Sequence, residues 1–179
     1  MHDDIRDILL TEVEIAEIVR NLGERLSRDY ENLYPLVICV LKGAAPFMSD
    51  LVRKMDIPLE MDFMDVSSYG VSSESSGVVR IMKDLDISVE RRHVLIVEDI
   101  IDTGLTLQYL IDILNRRNPA TIKVVTLLDK PERREGKFYP DYVGAQVPNE
   151  FVVGYGLDYA ERYRNLPYIG VLKKEIYHS

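Results

Sequence analysis

Three short runs of almost unbroken apolar residues constrain the fold of this chain more than any other feature. They are LVICVL at 36–41, VLIV at 94–97 and TIKVVTLL at 121–128. Such runs are typical of strands buried on both faces of a parallel sheet, whereas half-exposed strands alternate apolar and polar residues. The second and third runs flank an amphipathic segment at about 103–117, which predicts a βαβ unit. We therefore predict an α/β fold with a doubly wound, parallel central sheet.

The other segments supply further predicted elements. Apolar residues recur at helical spacing over 11–28, and Thr11 followed by Glu14 predicts a capping box at the start of this helix. A second helix is predicted over 44–54 and a long strand over 57–68. The segment SSYGVSSESSGVV at 67–79 has too little apolar surface to offset the entropy of ordering, so we expect it to be mobile. From Asp141 onward, short β-rich pieces alternate with turn residues.

Length, charge and cysteine content exclude several classes of protein. The chain has 179 residues, which favours one domain, and its only cysteine, Cys39, lies in an apolar run where a buried, inert thiol is expected. A net charge of −8 argues against nucleic acid and anionic membranes as partners. The start, MHDDIRDILL, lacks the basic region of a signal peptide, and no apolar run approaches the roughly 18 residues of a membrane span, so a cytoplasmic protein is expected. No metal-ligand spacing relates the histidines, His2, His93 and His178.

The segment VLIVEDIIDTGLT at 94–106 is the most informative about chemistry. Ligands of open parallel sheets bind beyond the carboxyl ends of the strands, so Glu98 and Asp99 are expected at the edge of a site, where they can accept hydrogen bonds from hydroxyl groups or hold a cation. Asp102 is followed by Thr-Gly-Leu-Thr at a predicted helix N-terminus, where backbone N–H groups favour a phosphate. A sugar phosphate would satisfy both halves, and Asp102 would remain available for proton transfer.

Each of these residues taken alone also has a simpler interpretation. Acidic residues after a strand can form a solvated loop, and Asp102 or Thr103 can be only a helix N-cap. A response-regulator receiver also has an acidic pair after an apolar strand, but its pair lies near the start of the chain and its phosphoacceptor aspartate follows a later strand. The order of residues in this chain meets neither condition.

The segment 94–106 resembles the phosphoribosyl pyrophosphate (PRPP) signature of the type I phosphoribosyltransferases. LKGAAPF at 41–47, SSYG at 67–70, LLDKPERR at 127–134 and VPNEFVVGYGLDYAERYRNLPYIGVL at 147–172 are similar, in the same order, to segments of the hypoxanthine-guanine phosphoribosyltransferase branch. The resemblance covers essentially the whole chain, and LDKPxRR with FVVGYGLDY is specific to the branch acting on 6-oxopurines. It implies a single type I phosphoribosyltransferase domain over 1–179: a core over about 11–147, a small hood mainly over 148–179 with N-terminal contributions, and a mobile loop.

This resemblance also implies roles for residues that would bind PRPP. Glu98 and Asp99 would bind the ribose hydroxyls, and Asp102 would act as general acid/base near purine N7. The 5′-phosphate would be bound by the turn that comprises Asp102, Thr103, Gly104, Leu105 and Thr106. Pyrophosphate would be bound by Lys42, Gly43 and Arg164, and the peptide bond before this lysine is often cis in the family.

The purine-binding residues implied by the resemblance are Lys130, Phe151, Val152 and Asp158. The ammonium group of Lys130 would donate to the exocyclic O6 and so disfavour the 6-amino group of adenine. Phe151 would stack on the base, although an isolated Phe is more often ordinary core, and the backbone of Val152 would contact the edge of the base.

Closure and metal binding are likewise implied by the resemblance. Ser68 and Tyr69 match a mobile loop that folds over the site and excludes water. Mg²⁺ is the implied cofactor, because it binds one or two carboxylates together with substrate phosphates. Its candidate ligands are Glu98, Asp99 and Asp158.

The resemblance therefore implies a purine salvage enzyme that transfers the 5-phosphoribosyl group from PRPP to N9 of hypoxanthine, and of guanine, with release of pyrophosphate. The alternative is a non-catalytic, PRPP-sensing regulator on the same fold, against which the acidic charge, Lys130 and Asp158 argue. The resemblance also implies a homodimer or a homotetramer. The charged cluster at 132–135 is expected to be a solvated loop, and no role is assigned to 134–139.

Overall fold

The structure is a computed structural model that describes residues 1–68 and 79–178. The described residues form four α-helices: α1 (Glu12–Asp29), α2 (Ala45–Val52), α3 (Leu105–Asn115) and α4 (Lys174–Tyr177). Short 3-10 helices cover His2–Asp4 and Pro131–Arg133. The strands are β1 (Ile5–Leu10), β2 (Leu36–Leu41), β3 (Glu60–Ser68), β4 (Val79–Lys83), β5 (His93–Ile101), β6 (Thr121–Asp129), β7 (Tyr142–Gln146), β8 (Val152–Val153) and β9 (Ile169–Leu172).

A six-stranded sheet in the order β4-β3-β2-β5-β6-β7 forms the centre of the molecule. The pairs from β3 to β7 are parallel, and only the edge strand β4 runs antiparallel to its neighbour. β5 and β6 are adjacent and parallel, and α3 lies between them in the chain, so the predicted βαβ unit is confirmed. The predicted α/β fold with a parallel central sheet is confirmed as well.

Helices cover both faces of this sheet, which explains why its central strands are apolar at nearly every position. In β2, Val37 and Cys39 pack with α1 and α2, whereas Leu36, Ile38 and Val40 pack on the side of α3. β5 divides its apolar residues between the two layers in the same way. Full burial of such a side chain contributes about 1.5–3 kcal/mol, so burial of these apolar residues stabilises the central strands.

The first helix begins where the sequence predicts it. Thr11 is the N-cap of α1; its hydroxyl accepts a hydrogen bond from the Glu14 N–H at 3.2 Å, and the Glu14 carboxylate accepts one from the Thr11 N–H at 2.8 Å. This reciprocal pair is the predicted capping box, which satisfies two N–H groups that the helix leaves without partners. The predicted helix over 44–54 is shorter in the structure, where α2 ends at Val52.

A second, three-stranded antiparallel sheet in the order β1-β9-β8 lies beside the central one. Two of the β-rich pieces after Asp141 supply β8 and β9, whereas YVGAQV supplies β7 of the central sheet. β1 had no counterpart in the sequence prediction. Its middle residues are exposed, so the apolar alternation that would have indicated a strand is weak.

The expectation of mobility over 67–79 is wrong at both ends of this segment. Its first two residues belong to β3 and its last, Val79, begins β4 and is buried. Tyr69 and the rest of that segment, 69–78, lie outside the described residues. Among the residues that are described, no helix has the length and apolar character needed to cross a membrane.

Candidate active site

The carboxyl ends of β5 and β6 bring the predicted acidic residues to one edge of the central sheet. β5 extends to Ile101, further than the VLIV run, and Ile100 and Ile101 pair with Leu128 and Asp129 of β6. Glu98 and Asp99 therefore lie within the last part of the strand rather than in the loop after it. A strand backbone holds their side chains more rigidly than a solvated loop would.

Removal from water raises the pKa of both carboxyl groups of this pair. Burial is the main cause for Glu98 and for Asp99, and the charge of Asp99 raises the pKa of Glu98 further. Gly43, which follows β2, lies against Asp99 so closely that a Cβ atom at Gly43 would overlap with the Asp99 carboxylate. The pair is thus a concentration of negative charge with reduced hydration, which a cation or a cationic sugar would relieve.

The raised pKa of Glu98 predicts how stability depends on pH. A carboxyl group with a raised pKa binds its proton more tightly in the folded chain, so its contribution favours folding at low pH and is lost as the pH rises through the raised pKa. Glu98→Gln should therefore increase the free energy of unfolding of the ligand-free protein near pH 8 and leave it almost unchanged near pH 4.

Denaturant unfolding at both pH values measures this effect. Glu90→Gln is the matched control, because Glu90 is exposed in the loop before β5 and should give no such pH-dependent difference. Equal stability of Glu98→Gln and the wild type at both pH values would contradict the prediction.

The turn after β5 presents backbone N–H groups at a small cavity. Gly104 is the N-cap of α3 with φ of 83°, in the left-handed region that glycine adopts without strain. A cavity of about 220 Å³ is lined by Glu98 and by the residues of the turn, Asp102, Thr103, Gly104 and Thr106. Leu105 and Thr106 begin the helix, whose positive dipole end would favour an anion at this position. Glu98 of the acidic pair therefore shares this cavity with the turn, whereas Asp99 lines a neighbouring cavity together with Asp102.

Two basic side chains from the loop after β6 surround the carboxylate of Asp102. Arg133 Nε donates to Asp102 Oδ1 at 2.9 Å, and Lys130 Nζ lies 3.9 Å from Asp102 Oδ2. Sequence reasoning placed Arg133 in a solvated loop and did not find this contact. Arg133 is exposed, as expected for a solvated loop, but the expectation is wrong for Arg134, whose side chain is only 4% exposed and is paired with Asp129.

Lys130 lies at the junction of two cavities, and its own amine is largely buried. The residue is 8% exposed, and burial lowers the pKa of its ammonium group. One cavity, of about 290 Å³, has Asp99, Ile100 and Asp102 on the side of the sheet and, on the other side, Phe151, Val152, Leu157 and Asp158. This cavity brings together all four residues predicted to bind the purine. Ile100 was not singled out from the sequence, where it reads as one more apolar strand residue.

The ring of Phe151 is held by two other aromatic rings. Tyr177 of α4 stacks on it with 4.7 Å between centroids, and Tyr159 meets it edge to face at 5.6 Å. Tyr177 lines the neighbouring cavity of about 640 Å³ together with Phe151 and Lys130. Phe151 is thus packed on the side of the aromatic cluster while it still lines the 290 Å³ cavity.

A chain of alternating charges connects the residues predicted to bind pyrophosphate. Lys42 Nζ lies 3.1 Å from the Glu161 carboxylate, which also accepts from Arg164 at 3.1 Å. Arg164 lies 3.4 Å from Asp158 and donates to the Gly156 carbonyl at 2.7 Å. The peptide bond before Lys42 is cis. Glu161, which the sequence did not single out, neutralises both cations at this edge of the site.

The carboxylates of the site fit an Mg²⁺ ion that is bound partly by the protein and partly by a substrate. Glu98 and Asp99 offer neighbouring carboxylates, whereas Asp158 already accepts the Glu161 N–H at 2.9 Å and faces Arg164. Over residues 1–68 and 79–178, no cluster of three or more His, Cys, Asp or Glu side chains is arranged around a possible metal position. A magnesium ion held by one or two carboxylates would therefore need oxygen ligands from a bound substrate, as is usual for this cation.

A parallel sheet with an acidic pair and a glycine turn at its carboxyl edge is the arrangement that the comparison with known proteins assigns to a family. The family model described as the phosphoribosyl transferase domain matches residues 6–160, and the chain belongs to this family.

Full-length similarity extends to named members of the family. The chain is 59% identical to the hypoxanthine-guanine phosphoribosyltransferase of Bacillus subtilis, over 100% of this chain and 99% of that protein. It is 61% identical to the bifunctional protein TilS/HprT of Listeria monocytogenes serotype 4b, but spans only 27% of the length of that relative. A crystal structure of a hypoxanthine phosphoribosyltransferase from Staphylococcus aureus superimposes with a TM-score of 0.97 at 51% identity, covering 99% of this chain and 96% of that one.

Proposed function

We propose that the chain transfers the 5-phosphoribosyl group of PRPP to N9 of hypoxanthine or guanine, giving the nucleotide and pyrophosphate. The observation that carries this proposal is the position of Lys130, which is buried at a cavity lined also by Asp99 and Phe151 and lies 3.9 Å from Asp102. A buried cationic donor, two acidic groups and an aromatic ring around one cavity suit a 6-oxopurine next to a ribose. The names and full-length identity of the relatives support the same reaction.

PRPP would bind across the two halves of the sheet edge. The ribose hydroxyls donate to the carboxylates of Glu98 and Asp99, and the 5′-phosphate accepts hydrogen bonds from the turn at 102–106. As the bond from C1′ to pyrophosphate weakens, the ribose gains oxocarbenium character, and the adjacent carboxylates stabilise its positive charge. The raised pKa values of this pair support that role, because a cation would favour the ionised forms that burial disfavours.

The purine would lie in the 290 Å³ cavity between Phe151 and the end of β5. The ammonium group of Lys130 donates to O6 and meets the amino group of adenine donor to donor, so it favours 6-oxopurines. Phe151 stacks on the base, backed by Tyr177, and the backbone of Val152 contacts the edge of the base.

Asp102 would move the proton that leaves the base. N9 forms the new bond to C1′ with inversion, and the Asp102 carboxylate accepts the proton at N7. Arg133 and Lys130 fix the position of this carboxylate through the contacts described above.

Pyrophosphate would be bound and released by the ion-paired residues at 42–43 and 158–164. Lys42 and Arg164 bind its oxygens once it displaces Glu161, and the backbone at Gly43 allows a close approach. Mg²⁺ would be held by one or two of the candidate carboxylates, Glu98, Asp99 and Asp158, together with substrate oxygens, and would neutralise part of the charge of pyrophosphate. The proposal includes a cytoplasmic location and a homodimeric or homotetrameric state, which analytical ultracentrifugation would measure.

The deciding experiment measures nucleotide formation from PRPP with hypoxanthine, guanine, xanthine or adenine, each with and without Mg²⁺. We expect turnover with hypoxanthine and guanine, dependence on Mg²⁺ and little turnover of adenine. Binding of PRPP with no turnover of any base would contradict the proposal.

A further inference from the structure

The carbonyl groups of the phosphate-binding turn are held from behind by residues of the segment 134–139. Arg134 Nη1 donates to the Asp102 carbonyl at 3.0 Å, and the Glu135 N–H donates to the Thr103 carbonyl at 2.9 Å. At Gly104, the position that a Cβ atom would take lies 3.3 Å from both Arg134 and Phe138. Three consecutive residues of the turn therefore rest on this segment, which we call the brace (Arg134, Glu135 and Phe138).

These carbonyl contacts fix the direction of the N–H groups on the other side of the turn. In a trans peptide unit, C=O and N–H point in opposite directions. Among the described residues the cis bond is at Leu41–Lys42, so the units that join Asp102 to Thr103 and Thr103 to Gly104 are trans. Their carbonyls point at the brace, and the N–H groups of Thr103 and Gly104 consequently point away from it. Within the described part of the chain, neither of these N–H groups donates a hydrogen bond.

The anchor of the brace is a buried ion pair that reaches the end of β6. The side chains of Arg134 and Asp129 are 4% and 5% exposed, and the two groups are hydrogen-bonded. Asp129 immediately precedes Lys130 and holds Arg134 in place from the end of the strand. The guanidinium also lies 6.0 Å from the ring centroid of Phe138 and 5.8 Å from that of Tyr139.

We infer that Arg134 is a positioning residue for phosphate binding: it bridges Asp129 and the Asp102 carbonyl and so aims the N–H groups of Thr103 and Gly104 at the phosphate of the ligand. This inference rests on the proposed function for the identity of the ligand, but the bridge itself does not depend on turnover. A guanidinium can bond to both partners at once because its N–H groups form a planar fork, whereas an ammonium group lacks that geometry.

The test compares Arg134→Lys with the wild type and with Lys137→Ala, a control at an exposed position of the same segment. Arg134→Lys keeps a positive charge beside Asp129 but lacks the planar fork. We expect the Kd of ribose 5-phosphate to rise about tenfold and the KM of PRPP to rise with it, while the KM of hypoxanthine stays within about twofold. Hydrogen exchange of the Glu135 amide should become faster in the ligand-free variant, because its acceptor, the Thr103 carbonyl, is no longer held.

Changing one partner of a buried ion pair can prevent folding, so Asp129→Leu/Arg134→Met, which replaces both charges by apolar groups, serves as the second variant. It should show the same selective loss of ribose 5-phosphate affinity. Unchanged affinity and unchanged Glu135 exchange in either folded variant would overturn the inference, even if thermal stability falls. If the wild type itself fails to bind ribose 5-phosphate, the proposed function is contradicted, and exchange of the Glu135 amide still decides whether the brace holds the turn.

Discussion

Replacing Asp102 with asparagine should lower turnover with hypoxanthine by about 10²–10⁴-fold, the range expected when a general acid/base is removed. Asparagine has nearly the same shape, and its carbonyl oxygen can still accept the hydrogen bond that Arg133 Nε donates at 2.9 Å. The variant loses the negative charge and the ability to accept the purine proton. Affinity for PRPP should therefore be retained, and the loss should appear in kcat.

The control for this variant is Asp112→Asn, the same chemical change on the exposed face of α3. The Asp112 carboxylate accepts a hydrogen bond from Gln108 and has no contact with the site cavities. Steady-state kinetics of both variants, with PRPP affinity measured by calorimetry, separate chemistry from binding. An Asp102→Asn protein with wild-type turnover would show that another group moves the proton.

Replacing Lys130 with alanine should reduce kcat/KM for hypoxanthine by roughly 10–100-fold, because a hydrogen bond from a charged donor contributes about 1.5–3 kcal/mol. The same change removes the donor that would repel a 6-amino group, so discrimination against adenine should shrink. Burial lowers the pKa of this ammonium group, which indicates that its charge is held under reduced hydration and depends on a close acceptor.

Lys123→Ala is the control, because Lys123 is exposed on β6, the strand that directly precedes Lys130. The ratio of kcat/KM for hypoxanthine to that for adenine is the quantity to compare. An unchanged ratio in Lys130→Ala would show that this residue does not select the purine. An equal loss of activity with both bases, together with a higher KM of PRPP, would show that the residue acts on the ribose side of the site.

Local sequence patterns predicted the elements in which several consecutive residues are all buried. β2 and β5 are covered by helices on both faces, and their apolar runs indicate this burial directly. β1 was missed because its residues pair with β9, more than 150 positions away, and its three consecutive exposed residues, Arg6, Asp7 and Ile8, interrupt any alternation of buried and exposed positions. Its strand conformation comes from this tertiary pairing, which no local window contains.

The same division separates the site residues that were found from those that were not. Glu98, Asp99 and the turn at 102–106 are contiguous, so strand, acidic pair and glycine turn could be identified together. Arg133 lies in the LDKPxRR motif and Glu161 in the similar segment 147–172, but the sequence analysis gave neither residue a role. Each becomes part of the site through an ion pair between distant segments: Arg133 with Asp102, and Glu161 with Lys42.

Cys39 can be used to measure how often the central sheet separates from the helices that cover it. The thiol is fully buried in β2, and burial raises its pKa to about 12. Alkylating reagents react with the thiolate, so the folded chain should be almost inert towards them, and modification requires that the central sheet separates from its helices. Because the chain has only this one cysteine, the rate of alkylation under native conditions reports how often that separation occurs.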